Sequence, residues 1–221
     1  MDRAVISNRI SRLLRDLEKL SGTLCAMDNT DILKYPENYA MLATDAALLS
    51  ERIACKLRHL LYGSTGIRKE TYLASAGDAQ GITVQNEGGV LQITLPCLLP
   101  KRKQRHSTEY LTDPLYFSLS RYADGHMLPM YKHCVVCFCH IYSKELPVSR
   151  IRDYDNLEMK QLLDVLATFI MEDDNGLLVD AYNTTELGEK DCTCICVMDR
   201  FRFTKWLEER QDRLENISDF C

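Results

Sequence analysis

Arg152-Asp153-Tyr154-Asp155-Asn156-Leu157-Glu158-Met159-Lys160, followed by Leu163-Asp164 and then by Asp173-Asp174-Asn175-Gly176, is the stretch on which the reading of the fold turns. Asp155 followed three residues later by Glu158, just ahead of an apolar run, is a capping-box signature. It predicts a helix from Asn156 to about Ala167. Asp173-Asp174-Asn175-Gly176 is a turn signal, and Gly176–Tyr182 reads as the strand after it. Capping and turn chemistry alone could place most of these acids. They do not explain the combination. Asp153 precedes the cap and is not needed for it, and acids concentrate at both ends of one helix. Three convergent carboxylates suit a hard divalent cation, which takes oxygen ligands and binds together with substrate phosphates. Such an ion can polarise a phosphodiester and activate water. A helix running from Asn156 to Met171 would separate its ends by ~24 Å. Asp153 and Asp174 can therefore share an ion only if the helix stops near Ala167 and Thr168–Glu172 returns toward its start as extended chain.

Outward from this stretch the hydrophobic period changes twice. Upstream, Val90–Leu95 reads as a strand stopped by Pro96, Leu115–Tyr122 as a short helix and His133–Tyr142 as a buried strand. Downstream, Cys192–Val197 reads as a strand and Phe201–Ile217 as a closing amphipathic helix. The first third is helical. Val5, Ile6, Ile10, Leu13, Leu14, Leu17 and Leu20 form one apolar stripe that ends at Gly22. A second stripe starts after Pro36 and ends at Gly63. Together they predict an antiparallel helical hairpin. The expected class is α+β, with a helical hairpin over 1–75, a glycine-containing linker or irregular hairpin over 76–89 and a mixed α/β domain with a C-terminal helix over 90–221.

The ten cysteines form two clusters, Cys134-Val-Val-Cys137-Phe-Cys139 and Cys192-Thr-Cys194-Ile-Cys196. Cys134 and Cys137 have the spacing of half a zinc knuckle. The apolar residues between them favour buried strands instead, in which 137 and 139 share one face and 192, 194 and 196 share one face. No run reaches the ~18 apolar residues that span a bilayer, and Met1-Asp2-Arg3-Ala4 lacks a secretory core, so a cytoplasmic chain without a disulfide framework is expected.

The net charge of −5 hides a division. Residues 90–160 hold 10 basic and 7 acidic groups, whereas 161–196 hold Lys190 against 8 acids. The basic run Lys101, Arg102, Lys103 and Arg105 is the candidate phosphate-contacting loop. A net charge below zero therefore does not exclude nucleic acid. Gly-rich phosphate loops, Gly-x-Ser-x-Gly and zinc-protease histidine spacing are absent.

Residues 90–197 resemble the RusA-type Holliday-junction resolvases, which open a helix with Asp-x-Asp-Asn-Leu and carry Asp-Asp on the returning chain. Asp153, Asp155, Asn156 and Leu157 match the first part, Asp164 the helix aspartate and Asp173-Asp174 the last. Met159 stands where the family has a lysine, and Lys160 and Asp164 each come one residue late. The resemblance implies a small, usually dimeric α/β domain that cleaves branched DNA with Mg²⁺ (or Mn²⁺). It implies Asp153, Asp155 and Asp174 as metal ligands, with Lys160 assisting. A fainter resemblance, to proteins of bacterial mobile elements or phage, keeps a second expectation open. On that reading the domain is non-catalytic, and the helical hairpin and the acidic 161–196 stretch bind a protein partner such as a host defence nuclease.

Overall fold

The computed structural model describes residues 2–100 and 109–218. The basic run Lys101–Arg105 lies outside the described residues. The chain divides into two compact units, 1–69 and 70–221.

The first unit is a hairpin of two long helices, α1 (Arg3–Asp28) and α2 (Pro36–Ser64). Pro36 opens α2, where its missing N–H costs nothing. Helix α1 does not stop at Gly22. It continues to Asp28, because one glycine costs only about 1 kcal/mol in a helix interior. The stop comes at Asn29 and Thr30, whose side chains donate to the carbonyls of Cys25 and Ala26, both at 2.7 Å. Leu13 and Asp16 of α1 and Ala46 and Ile53 of α2 are buried. Lys56 donates to Asp16 across the helix pair at 2.6 Å.

The second unit is α+β, as expected. Residues 76–89 are not a linker. They comprise the end of α3 (Lys69–Gln80) and strand β1 (Thr83–Glu87). A two-residue turn joins β1 to β2 (Val90–Leu95), and its residues Gly88 and Gly89 have φ of +57° and +77°. That left-handed pair is what a tight hairpin turn requires. The rest follows as α4 (Glu109–Gly125), β3 (Cys134–Ser143), α5 (Lys160–Ile170), β4 (Val179–Gly188), β5 (Cys192–Asp199) and α6 (Arg200–Ser218). The sheet order is β1-β2-β5-β3-β4, antiparallel except for β3 and β4, which run parallel. A parallel pair needs a crossover, and α5 supplies it. Leu162, Leu166 and Ile170 of α5 and Leu111, Leu115 and Leu119 of α4 pack on one sheet face, against Val136, Phe138 and Ile195. Trp206 of α6 packs on the other, against Val135, Cys137 and Cys196.

The crossover helix is displaced from its expected span. Residues 154–156 form a 3₁₀ turn, and α5 begins at Lys160 with no side-chain cap. The capping box does not form. Glu158 donates its N–H to the carbonyl of Pro100 at 2.9 Å, and Leu157 is buried. Tertiary contacts thus take the backbone groups the box would have used. At the other end Thr168–Ile170 stay helical, because Leu162, Leu166 and Ile170 repeat at the helical spacing of four and are all fully buried. Among the described residues no helix is long and apolar enough to cross a membrane.

Candidate functional site

The chain between β3 and α5 is held to the sheet by polar contacts. Arg150 grips Asp191 with two nitrogens, at 2.6 and 2.5 Å, and lies over the Tyr142 ring. Asp191 also accepts the Ser143 N–H at 2.7 Å, and the Arg150 guanidinium holds its carboxyl below the usual carboxylate range. Arg152 donates its N–H to the Tyr142 hydroxyl at 3.2 Å and its guanidinium to the carbonyl of Leu99 at 3.3 Å. Tyr154 stacks on His140 with ring centroids 5.6 Å apart, and its hydroxyl meets Thr185 Oγ1 at 3.0 Å. Asp153 and Asp155, on either side of Tyr154, are exposed. Asp155 accepts the Asn156 amide at 3.2 Å.

The motif's second half lies beyond α5. Lys160 spans one turn to Asp164, at 2.9 and 3.1 Å. Its pKa is raised first by that bond, and also by the charges of Asp174 and Glu158. Lys160 therefore feels a carboxylate that follows it by fourteen residues, so the chain does double back. It does so later than expected, after Ile170. Met171 bridges Tyr131 and Val179 pairs with Cys134, which leaves Glu172–Leu178 as an excursion off the ladder. The turn expected at Asp173-Asp174-Asn175-Gly176 is present. Asp173 accepts the N–H of Asp174 and the amide of Asn175, both at 2.7 Å, and these bonds hold its carboxyl below its ordinary value. Asp173 thus serves the turn, while Asp174 is exposed.

The structure does not assemble Asp153, Asp155 and Asp174 into one ligand set. Among the described residues no group of three or more His, Cys, Asp or Glu side chains is placed to hold a metal ion. By themselves these carboxylates do not form a Mg²⁺ site, which takes substrate phosphates as ligands as well.

The acidic 161–196 stretch is not a free acidic surface either. Of its eight acids, five pair with cations from outside the stretch: Asp164 with Lys160, Asp180 with Arg200, Glu186 with Arg210, Glu189 with Lys144 and Asp191 with Arg150. The segregated charge seen along the chain is thus largely cross-linking between segments. Asp153, Asp155, Glu172 and Asp174 make no ion pair among the described residues.

His140 is the residue the sequence reading missed. It is fully buried on β3 under Tyr154, with Nε2 3.4 Å from Asn183 Oδ1 and Nδ1 without a hydrogen-bond partner among the described residues. Burial pushes its pKa down, which keeps the ring neutral. Its position at the end of a Val-Cys-Phe-Cys alternation was the one signal that could have found it. The cysteines behave as packing. Cys134 joins the α5-side core and Cys137 the α6-side core, so the zinc-knuckle pair points to opposite faces. Cys137 and Cys139 share a face with Cys194 and Cys196, and the last two sulfurs are 3.8 Å apart. Burial pushes the Cys134 thiol up to about 11 and Cys137 higher still.

A family of unknown function (DUF6100) matches residues 2–221, and the chain belongs to that family. No curated protein matches the chain.

Proposed function

We propose that this member of the family is a Mg²⁺-dependent endonuclease of RusA type acting on branched or structured DNA, with Asp153, Asp155 and Asp174 as the acids of the cut site and Lys160 beside them. One observation carries the reading. Leu99 and Pro100, the last described residues before the run Lys101, Arg102, Lys103 and Arg105, are hydrogen-bonded to Arg152 and to Glu158 inside the acidic motif. The described chain ahead of the basic run is thus bonded to the motif, and this supports reading phosphate contacts and carboxylates as parts of one site. The charge pattern agrees with it. Asp180, Glu186, Glu189 and Asp191 are tied into ion pairs, whereas Asp153, Asp155 and Asp174 have none among the described residues. In this reading Lys160, bonded to Asp164 and within the field of Asp174, offsets carboxylate repulsion where the phosphate would arrive. A homodimer would present two such corners to the arms of a junction.

The test is cleavage of a fluorescent four-way junction with Mg²⁺ or with EDTA. Wild type is expected to cut only with the metal. Asp155→Asn should abolish cutting and leave junction binding within about twofold. Mg²⁺ should also raise the melting temperature of wild type by mass action, and not that of Asp153→Asn. Equal cutting by wild type and Asp155→Asn would refute the assignment.

A second reading keeps the domain without its chemistry, as a mobile-element or phage protein that binds a host nuclease. It is favoured by the absence of a metal-holding group among the described residues. The paired state of five of the eight acids in 161–196 counts against the version in which that stretch mimics phosphate. No cutting of any branched substrate, together with a captured nuclease, would favour this reading.

A further inference from the structure

We infer that the N-terminal hairpin carries a groove for the phosphate backbone of nucleic acid, separate from the crossover of the second unit and independent of whether that crossover cuts. Arg9, Arg12, Asp16 and Lys19 follow one another along α1 at spacings of three, four and three, which puts them on one side of the helix. Arg52, Lys56 and His59 do the same on α2. The two rows meet. A cavity of about 330 Å³ between the helices is lined by Arg9, Arg12, Lys56 and His59 with Leu13 among them. A second, of about 690 Å³, lies toward the turn end and is lined by Lys19 and Arg52 among mostly apolar residues.

Neutralisation within the groove is incomplete. Asp16 is buried and held by Lys56 at 2.6 Å and Arg52 at 3.7 Å, and Lys56 keeps its carboxyl below the ordinary value. Asp45 lines the second cavity. Arg9, Arg12 and His59 are exposed and have no side-chain partner among the described residues. Like charges gathered around one cavity repel one another. An anion in the groove would turn that repulsion into attraction.

The whole hairpin is polarised in the same sense. Residues 2–16 and 52–68, which the antiparallel arrangement places side by side, hold eight Arg and Lys against two acids. Residues 17–51, the turn end, hold two against six. Random scatter of solvated charges does not sort this way, and the basic end would focus an approaching polyanion. From Arg9 to Lys19 the groove runs about 15 Å at 1.5 Å per residue. That covers roughly four phosphates of one strand at 3.4 Å each along a duplex. The cations lie in a line and flank a recess between two helices. A strand can follow such a groove, whereas a flat lipid surface cannot enter it.

The test uses the full chain in EDTA, so that no metal-dependent cutting intervenes. Fluorescein-labelled 30-nucleotide single-stranded and 30-base-pair duplex DNA are titrated by anisotropy between 50 and 200 mM salt. Arg12→Glu is expected to weaken binding about 5–10-fold and Arg9→Glu/Arg12→Glu further. The salt slope should fall by about one for each phosphate the chain no longer neutralises. Lys34→Glu makes the same charge change at the turn end, and should stay within twofold. Arg12→Ala guards against misfolding, and an unchanged melting temperature with weakened binding supports the groove. Equal losses in Arg12→Glu and Lys34→Glu would overturn it. So would Arg12→Glu abolishing attachment to phosphatidylserine vesicles while DNA affinity stays the same. Asp155→Asn should leave this binding intact, so failure of the groove and failure of the nuclease reading give different patterns.

Discussion

A methyl group added at Gly77 tests how the second unit is packed, and the structure predicts both its effect and the cure. Gly77 lies in α3, and a Cβ there would collide with Ser118 Oγ of α4 and come within 3.2 Å of the carbonyl of Pro114. Ser118 is buried and its hydroxyl has no hydrogen-bond partner among the described residues. Gly77→Ala should gain about 1 kcal/mol in helix propensity. It loses about 1–3 kcal/mol because Ser118 must leave its place in a packed interface. The net is a loss of up to about 2 kcal/mol, or roughly 4–8 °C in melting temperature at 2–4 °C per kcal/mol for a chain of this size. Ser118→Ala removes a buried, unsatisfied hydroxyl, so it should be neutral or stabilising by about 1 kcal/mol. In that background the nearest of the remaining atoms are the Pro114 carbonyl at 3.2 Å and the Cβ at position 118 at 3.6 Å. Gly77→Ala should then be neutral or better. The assay is urea denaturation of wild type, both single variants and the double variant, read as a cycle. A coupling of about 1–2 kcal/mol is expected. If Gly77→Ala costs the same with and without the Ser118 hydroxyl, the α3–α4 approach is wrong.

Two further outcomes follow from buried titratable groups. His140 has a folded pKa below the unfolded value of about 6.5, so the unfolded chain takes up its proton first and folding stability falls as pH drops below about 6.5, levelling off below the folded value. Denaturation from pH 8 to pH 5 should show this loss in wild type and a smaller one in His140→Gln; parallel curves would refute it. Iodoacetamide should label the exposed Cys25 and Cys55 in the folded chain, and reach Cys134, Cys137, Cys139, Cys192, Cys194 and Cys196 only after denaturation, as mass spectrometry of peptides would show. Rapid labelling of Cys137 or Cys196 in the folded state would contradict the two-faced packing of β3 and β5.

Much of the fold was legible because side-chain period reports directly on burial. The strand at Cys134–Ser143 was expected over His133–Tyr142, and Cys192–Asp199 over Cys192–Val197. What misled were local signals that tertiary contacts override. Gly22 read as a helix stop, the glycines of 76–89 as a linker and Asp155 with Glu158 as a cap. In the folded chain Gly22 is only a weak spot in a helix that ends at Asn29. Gly88 and Gly89 form a hairpin turn. The Glu158 backbone belongs to Pro100. The candidate site was legible as residue types and order, and as the turn at Asp173. Its assembly was not, because convergence of Asp153, Asp155 and Asp174 depends on where α5 ends, and three fully buried aliphatic side chains carry α5 on to Ile170.

The sequence alone determined the helical hairpin, the α+β class, the reduced and buried state of the strand cysteines, and the acidic motif bracketing one helix. Each of these rests on spacing along a single element, and spacing is a one-dimensional property. Tertiary structure decided which acids are spent and which remain. Five carboxylates of 161–196 are matched to cations that range from Lys160, one helical turn before Asp164, to Lys144, just past the end of β3, for Glu189. Arg9, Arg12, Lys56 and His59 meet around one cavity only because α2 folds back on α1. Charge acts through space, and no linear reading can sum it until the chain has said which charges are neighbours.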